Sequence, residues 1–367
     1  MENEEKLNST CPNCGSQLRY HTKLKKLKCI SCSSVFDIES LGKGKLDHLE
    51  DDYFETIKRL RETKLVKETI TSLNCKNCGA MVKNDNNVHS TVCPFCGSNH
   101  VFEEQIEEEV IPITGVIPFN ISKRECNEKF HKWIKGKFFA PAAFKNTKFE
   151  LDLHPIYLPY WTFDMKCITD YEGSRGEYYY EEHVRVDSEG NRTVERERKT
   201  RWYHADGTVY NSFDDVLVLG STNEKNRYYI ARVSKYNFEE MQQFNPKFLM
   251  GYVSERISLP LIDGFKKAQE SVDFSIRNSI DWDIGGDEQR IYHYHTRHED
   301  VTFKQVLVPV YNGLYSYQGK QYNFVMNGQT GQFAGGHPTS GAKIAMVVFL
   351  IASGIIAFIF FVVLVMI

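Results

Sequence analysis

An α+β fold, mainly β, closed by one apolar helix is what the sequence predicts, and three observations carry it. Alternating aromatic and β-branched residues, broken by Gly, Asn and Asp, run through 110–333. Eight of the ten cysteines fall in four Cys-x-x-Cys pairs near the start. The last 24 residues, 344–367, are almost wholly apolar, with Ser353 as their one hydrogen-bonding side chain. A length of 367 residues allows two or three domains, and 41% apolar against 25% charged residues excludes a disordered chain. The net charge of -3 excludes a global attraction to nucleic acid and leaves local patches open.

The cysteines come first. Cys11-Pro-Asn-Cys14 and Cys29-Ile-Ser-Cys32 are separated by 14 residues, and Cys75-Lys-Asn-Cys78 and Cys93-Pro-Phe-Cys96 repeat that spacing 64 positions later. Four thiolates suit tetrahedral zinc at about 2.3 Å, and a two-residue gap lets one tight turn aim two sulfurs at one ion. Gly15, Gly79 and Gly97 follow the second cysteine of three pairs, where the chain turns back; Ser33 holds the fourth such place. Residues 17–28 and 80–92 can each form one short hairpin, the zinc-ribbon plan. Two structural Zn2+ ions are expected, one on Cys11, Cys14, Cys29 and Cys32, the other on Cys75, Cys78, Cys93 and Cys96. Disulfides are the alternative. The opening Met1-Glu2-Asn3-Glu4-Glu5-Lys6 lacks the basic stretch and apolar core of an export signal, so a reducing cytoplasm is expected instead. Cys126 and Cys167 stand outside the pairs and are expected to be plain buried thiols.

The chain divides accordingly into a first ribbon at 11–38, a helical linker at 39–73, a second ribbon at 74–102, a β-rich cytosolic domain at 110–334, a linker at 335–343 and a transmembrane tail anchor at 344–367. Leu46, Leu49, Tyr53, Ile57, Leu60 and Leu65 among mixed charges make the first linker a solvated spacer or a ribbon-packing helix rather than a coiled-coil seam. The acidic run 103–109 reads as a solvated connection.

Within the body, Ser122 and Glu125 form a capping box ahead of Phe130, Trp133 and Ile134 and predict a helix. Leu261, Phe265, Ala268, Val272, Ile276 and Ile280 predict another over 260–280. Tyr178, Tyr179 and Tyr180 open a strand that turns at 188–191 and returns through the charged stretch 192–201, a solvated hairpin. Pro159 and Pro309 are each expected at a bulge or sheet edge, because proline donates no ladder hydrogen bond. Asn327-Gly328 suits a tight hairpin turn. As a flexible coil, 335–341 reaches about 15 Å and keeps the body near the lipid headgroups. The apolar run itself, as a helix, spans roughly 36 Å against a bilayer core of about 30 Å. Lys343 before it favours the side of synthesis for everything upstream.

Candidate chemistry is sparse. His293, His295 and His298 lack a third ligand in register and read as surface or packing residues. No phosphate-binding Gly-x-x-x-x-Gly-Lys loop, Gly-x-Ser-x-Gly elbow or His-Glu-x-x-His helix occurs, so a non-enzymatic role is expected.

The paired ribbons, Leu158-Pro-Tyr-Trp161, Val308-Pro-Val-Tyr311, Asn327-Gly-Gln-Thr-Gly-Gln332, His337-Pro338 and the terminal apolar run together resemble a bacterial family of tail-anchored double zinc-ribbon membrane proteins. Its members are often labelled transcription factor IIB-type zinc-ribbon proteins, or by loose similarity to the cysteine region of the primosomal helicase PriA. The resemblance covers nearly the whole chain and departs at Ser33, where glycine is usual. It implies the eight paired cysteines as ligands and no catalytic residue. It also implies partners among envelope-stress proteins, including PspA-like membrane remodelling proteins and SPFH-related or virion-core-like proteins. The expected function is therefore a membrane adaptor that recruits cytosolic proteins to the bacterial cell membrane, single-pass, with the N-terminal domains cytoplasmic. The alternative is a membrane-tethered nucleic-acid binder, since Arg19, Lys23, Lys25, Lys26 and Lys28 oppose Asp37 alone in the first ribbon. The same basic face could meet anionic lipid.

Overall fold

The computed structural model describes residues 10–39, 41–62, 67–76, 81–83, 93, 98, 101–109, 111–186, 192–221 and 226–366. Chain order begins β1 (Leu18–His21), β2 (Lys26–Cys29), β3 (Val35–Phe36), β4 (Asp51–Asp52), α1 (Tyr53–Glu62), β5 (Lys67–Cys75), β6 (Met81–Lys83) and β7 (Val101–Glu109). The body follows with β8 (Gly115–Val116), α2 (Lys123–Lys135), α3 (Ala142–Asn146), β9 (Asp152–Val186), β10 (Arg192–Leu219), α4 (Arg227–Arg232), β11 (Gln242–Gln243) and β12 (Val253–Ser254). It ends in α5 (Leu261–Ile284), β13 (Glu288–Tyr317), β14 (Lys320–Asn327), β15 (Phe333–Gly335) and α6 (Gly341–Met366). The fold is mostly β.

One nine-stranded sheet organises the body along the path β10-β9-β13-β14-β15, with β4, β8, β11 and β12 added at its margins. Its spine is unusually long. The 35 residues of β9 amount to about 115 Å of extended chain, paired on one side with β10 and on the other with β13. The half near Tyr157, Trp161 and Phe163 is buried, whereas Tyr180 and Val184 farther along are exposed. The expected charged hairpin is thus the outer part of this ribbon, Arg192 standing opposite Val186; its turn at 188–191 lies outside the described residues. α5 covers one face of the ribbon, and its predicted apolar stripe from Leu261 to Ile280, extended by Ile284, is buried against Met165, Cys167 and Tyr171.

Pro159 and Pro309 sit where a strand changes partners. β10 stops pairing at Tyr160, and β12 takes over at Ile156 and Tyr157, so Pro159 falls between them without owing a ladder donor. Pro309 falls in the same way between β8, which pairs through Leu307, and β14, which begins at Val310.

At α2 the predicted capping box is present: Glu125 N donates to Ser122 Oγ at 3.3 Å, and Ser122 N donates to Glu125 Oε2 at 2.9 Å. Cys126 and Cys167 are buried.

Four local readings change. The solvated-spacer reading of 39–73 fails because Leu46, Tyr53 and Ile57 are buried in the body; the Tyr53 ring lies 4.3 Å from that of Phe265, and β4 pairs with β13. Leu65 lies outside the described residues. The acidic run 103–109 is not a loose connection but most of β7, laddered antiparallel to β5 from Lys67–Glu109 to Cys75–Val101. Strand backbone needs a partner, and side-chain charge does not forbid one. Asn327 closes β14 rather than turning a two-residue hairpin: buried, its side chain donates to Val233 O at 2.8 Å and accepts from Gln329 N at 2.9 Å, organising a longer loop before β15. Finally, 335–343 is laid on the body and not a free coil, since Gly336 N donates to Asn323 O at 3.0 Å and Lys343 Nζ to Ala140 O at 2.9 Å.

Candidate metal centre

The first cysteine module is built by a hairpin, β1 with β2, whose alternation puts Leu18, Tyr20, Leu27 and Cys29 inside. Two turns flank it and bring the cysteines together. In each, the first cysteine of the pair donates its backbone N–H to the carbonyl five residues on: Cys11 N to Ser16 O at 2.6 Å, Cys29 N to Ser34 O at 2.9 Å. Gly15 takes φ of 72° and Ser33 a φ of 61°, so the serine adopts the left-handed backbone that glycine takes in the partner turn.

The sulfurs of Cys11, Cys14, Cys29 and Cys32 all lie within 4.8 Å of one another. Cys11 and Cys32 approach to 3.6 Å, Cys14 and Cys29 to 3.4 Å. Four sulfurs at about 2.3 Å from a central ion would stand roughly 3.8 Å apart, so this set fits one tetrahedral metal ion. The described cysteines are free thiols. The Ser34 hydroxyl and N–H pull the Cys32 thiol down to about 6, while burial pushes Cys11 up to about 11. Ser34 thus favours the thiolate that a metal needs.

The second set is placed in part. Cys75, ending β5, and Cys93 are buried, and Cys93 N donates to Ser98 O at 2.8 Å, the same five-residue closure as in the first module. Cys78 and Cys96, with Gly79 and Gly97, lie outside the described residues. This module also meets the body: Arg256 N donates to Met81 O at 3.0 Å. Beside it, buried Glu255 accepts from Ser221 Oγ at 2.8 Å, and burial pushes its carboxyl up to about 8.

The first module is docked as well. Tyr20 N donates to Met250 O at 3.0 Å, and its ring lies 5.6 Å from Phe248. Part of the basic face is used in this docking. Lys23 pairs with Glu125 of α2 at 3.2 Å and the Arg19 stem lies over Gly251, while Lys26 pairs with Asp37 at 2.7 Å inside the module itself.

Sequence reasoning missed one charged site. Lys304, wholly buried in β13, pairs with Glu50, with Asp215 at 3.0 Å and with Asp47 at 3.6 Å. Burial alone would pull this ammonium down, but Glu50 and Asp215 more than offset it and hold it above the ordinary lysine range. Asp164, close to Glu50 and Asp215, is pushed up to about 7 by burial. The available signal was a lone lysine in the apolar run from Val301 to Val310. Lys304 already supplies the positive charge that three carboxylates would otherwise ask of a cation. A further carboxylate–imidazole group, Glu181, His183 and Glu197, lies exposed on the outer ribbon, where Lys199 pairs with both glutamates. Among the described residues, His293, His295 and His298 join no such group; His293 pairs with Glu172 at 2.9 Å.

At the far end, 341–363 of α6 is long and apolar enough to cross a membrane, with a mean hydropathy of 3.0 and none of it buried inside the molecule. No family model matches the chain, and no solved structure matches it. It is 27% identical over 347 residues to the uncharacterised protein YdjG of Bacillus subtilis (strain 168), a similarity covering 91% of each chain.

Proposed function

We propose that the protein is a non-enzymatic membrane adaptor: two structural zinc ribbons and a β-rich body recruit cytosolic proteins to the bacterial membrane that α6 anchors. The observation that carries this reading is the joining, in one chain, of a solvent-facing apolar helix to a closed four-sulfur cluster. Four protein ligands leave no position for water or substrate, so the metal would hold structure and not do chemistry. Zinc is the ion such an all-sulfur tetrahedral set suits, and the Cys75, Cys78, Cys93 and Cys96 set would hold the second by the same turn geometry. The outer ribbon offers the partner a surface in Tyr180, Val184 and Val194, all exposed. Envelope-stress proteins are the partner class that the family resemblance implies.

Nucleic-acid binding is the weaker reading because Lys23 and Lys26 already pair with Glu125 and Asp37 within the molecule. The experiment is crosslinking in intact cells, with identification of the captured proteins and their location in cells carrying the full chain or one lacking 344–367. A partner that sits at the membrane with the full chain and disperses without the anchor supports the adaptor. No dependent partner, together with tight, salt-sensitive DNA or RNA binding lost when Lys25 and Lys28 become Ala, would replace it with the alternative.

A further inference from the structure

We infer that the loop joining α2 to α3 seats on the bilayer that α6 enters, Phe138 and Phe139 reaching into the headgroup zone and neighbouring lysines facing anionic lipid. This rests on the membrane reading of α6. The loop is held against the first turn of that helix: Ser340 N donates to Phe139 O at 2.8 Å, and Lys343 Nζ donates to Phe138 O at 3.0 Å and to Ala140 O at 2.9 Å. The apolar run begins at the very next residue, Ile344. Where α6 enters lipid, the loop is therefore level with the membrane surface.

Its side chains suit that place. Phe138 and Phe139 are 60% and 39% exposed, although Phe130 and Phe144 in the flanking helices are completely buried. The local fold has room for buried aromatics and leaves these two outside. Aromatic rings exposed to water at the mouth of a membrane helix gain by entering the interfacial layer. Charge points the same way. Between Glu128 and Glu150 the chain carries Lys129, Lys132, Lys135, Lys137, Lys145 and Lys148, and no acidic residue. Burial, and after it the nearby Arg232, pulls Lys137 below the ordinary lysine range, and an anionic surface would offset the repulsion from Arg232. A seat of this kind, with Lys343 clamped to the loop, would hold the body at one orientation to the membrane.

The test reconstitutes the full chain and its Phe138→Trp form in vesicles of phosphatidylcholine alone or mixed with phosphatidylglycerol, each containing lipid brominated near the headgroup. The parent carries four tryptophans, so the readout is the added emission. We expect the introduced indole to be quenched several-fold in anionic vesicles and much less in neutral ones. Lys135→Glu with Lys137→Glu should abolish the difference while the chain still floats with the vesicles. An unquenched indole on a chain that floats through high-salt washing overturns the seat and leaves α6 as the anchor. Equal quenching in neutral and anionic vesicles overturns the part assigned to the lysines. A chain that does not float at all overturns the membrane reading beneath both.

Discussion

Lys304 lies 3.0 Å from Asp215, its side chain wholly shielded from solvent, and this pairing joins the middle of β13 to the bulge in β10 where Asp215 takes a left-handed φ of 52°. Glu50, before β4, completes the clasp from the other side. One buried ammonium thus ties the segment between the two cysteine modules to the sheet spine.

Lys304→Met should destabilise the protein strongly, by about 3–5 kcal/mol, because removing one partner leaves buried carboxylates without a counter-charge. Adding Glu50→Gln should recover part of that loss. Thermal unfolding of the full chain in detergent, followed by near-ultraviolet circular dichroism, measures both. A single variant as stable as the parent would show that the clasp is not buried in solution.

Protein purified without chelator should hold two zinc ions per chain. Cys29→Ser should lose one and loosen the first module, and chelation should expose that module to protease, because so small a core depends on its ion. Metal analysis decides it. A content near zero with the cysteines oxidised would refute the zinc assignment. Ser33→Gly should keep the metal and add about 0.5–1 kcal/mol, since glycine bears the left-handed turn without a Cβ penalty.

Tyr20→Ala should release the first module from the body while leaving its cysteine cluster metal-loaded. The ring packs on Phe248 and Tyr252, and truncating so buried an aromatic costs about 3 kcal/mol. Hydrogen exchange should rise in 246–252 and in β1 together. Unchanged exchange in 246–252 would count against the docking.

Acid should weaken the start of α2. Hydrogen bonds from the Ser122 backbone and hydroxyl, with Lys23 nearby, hold the Glu125 carboxyl down at about 2, against an ordinary value of 4.5. Its contribution is therefore complete above about pH 4.5 and is lost as pH falls through about 2. Glu125→Gln should flatten the slope of stability against pH in that window. An identical slope in the parent and the variant would remove Glu125 as the cause.

Short-range patterns were readable wherever one element supplies its own evidence. Ser122 and Glu125 lie three residues apart, and the stripe from Leu261 to Ile280 recurs at the helical period; α2 and α5 form where those spacings place them. The charge of 103–109 was a poor guide, because it reports solvent contact and not backbone pairing, and β5 lies about 35 residues upstream. The spacer reading of 39–73 failed for a similar reason, since Tyr53 finds Phe265 across more than 200 residues.

By itself, then, the sequence determined the first four-sulfur set and the apolar terminal helix, because a Cys-x-x-Cys turn and a continuous apolar run carry their geometry within a few residues. Tertiary structure alone decided that the first module docks through Tyr20, that Lys304 meets Glu50 and Asp215, and that Lys343 grips the Phe138 carbonyl. Those contacts join residues about 90 to 250 positions apart, so neither the apolar packing of Tyr20, the charge pairing of Lys304 nor the hydrogen bonding of Lys343 exists until the long strands have brought those residues together.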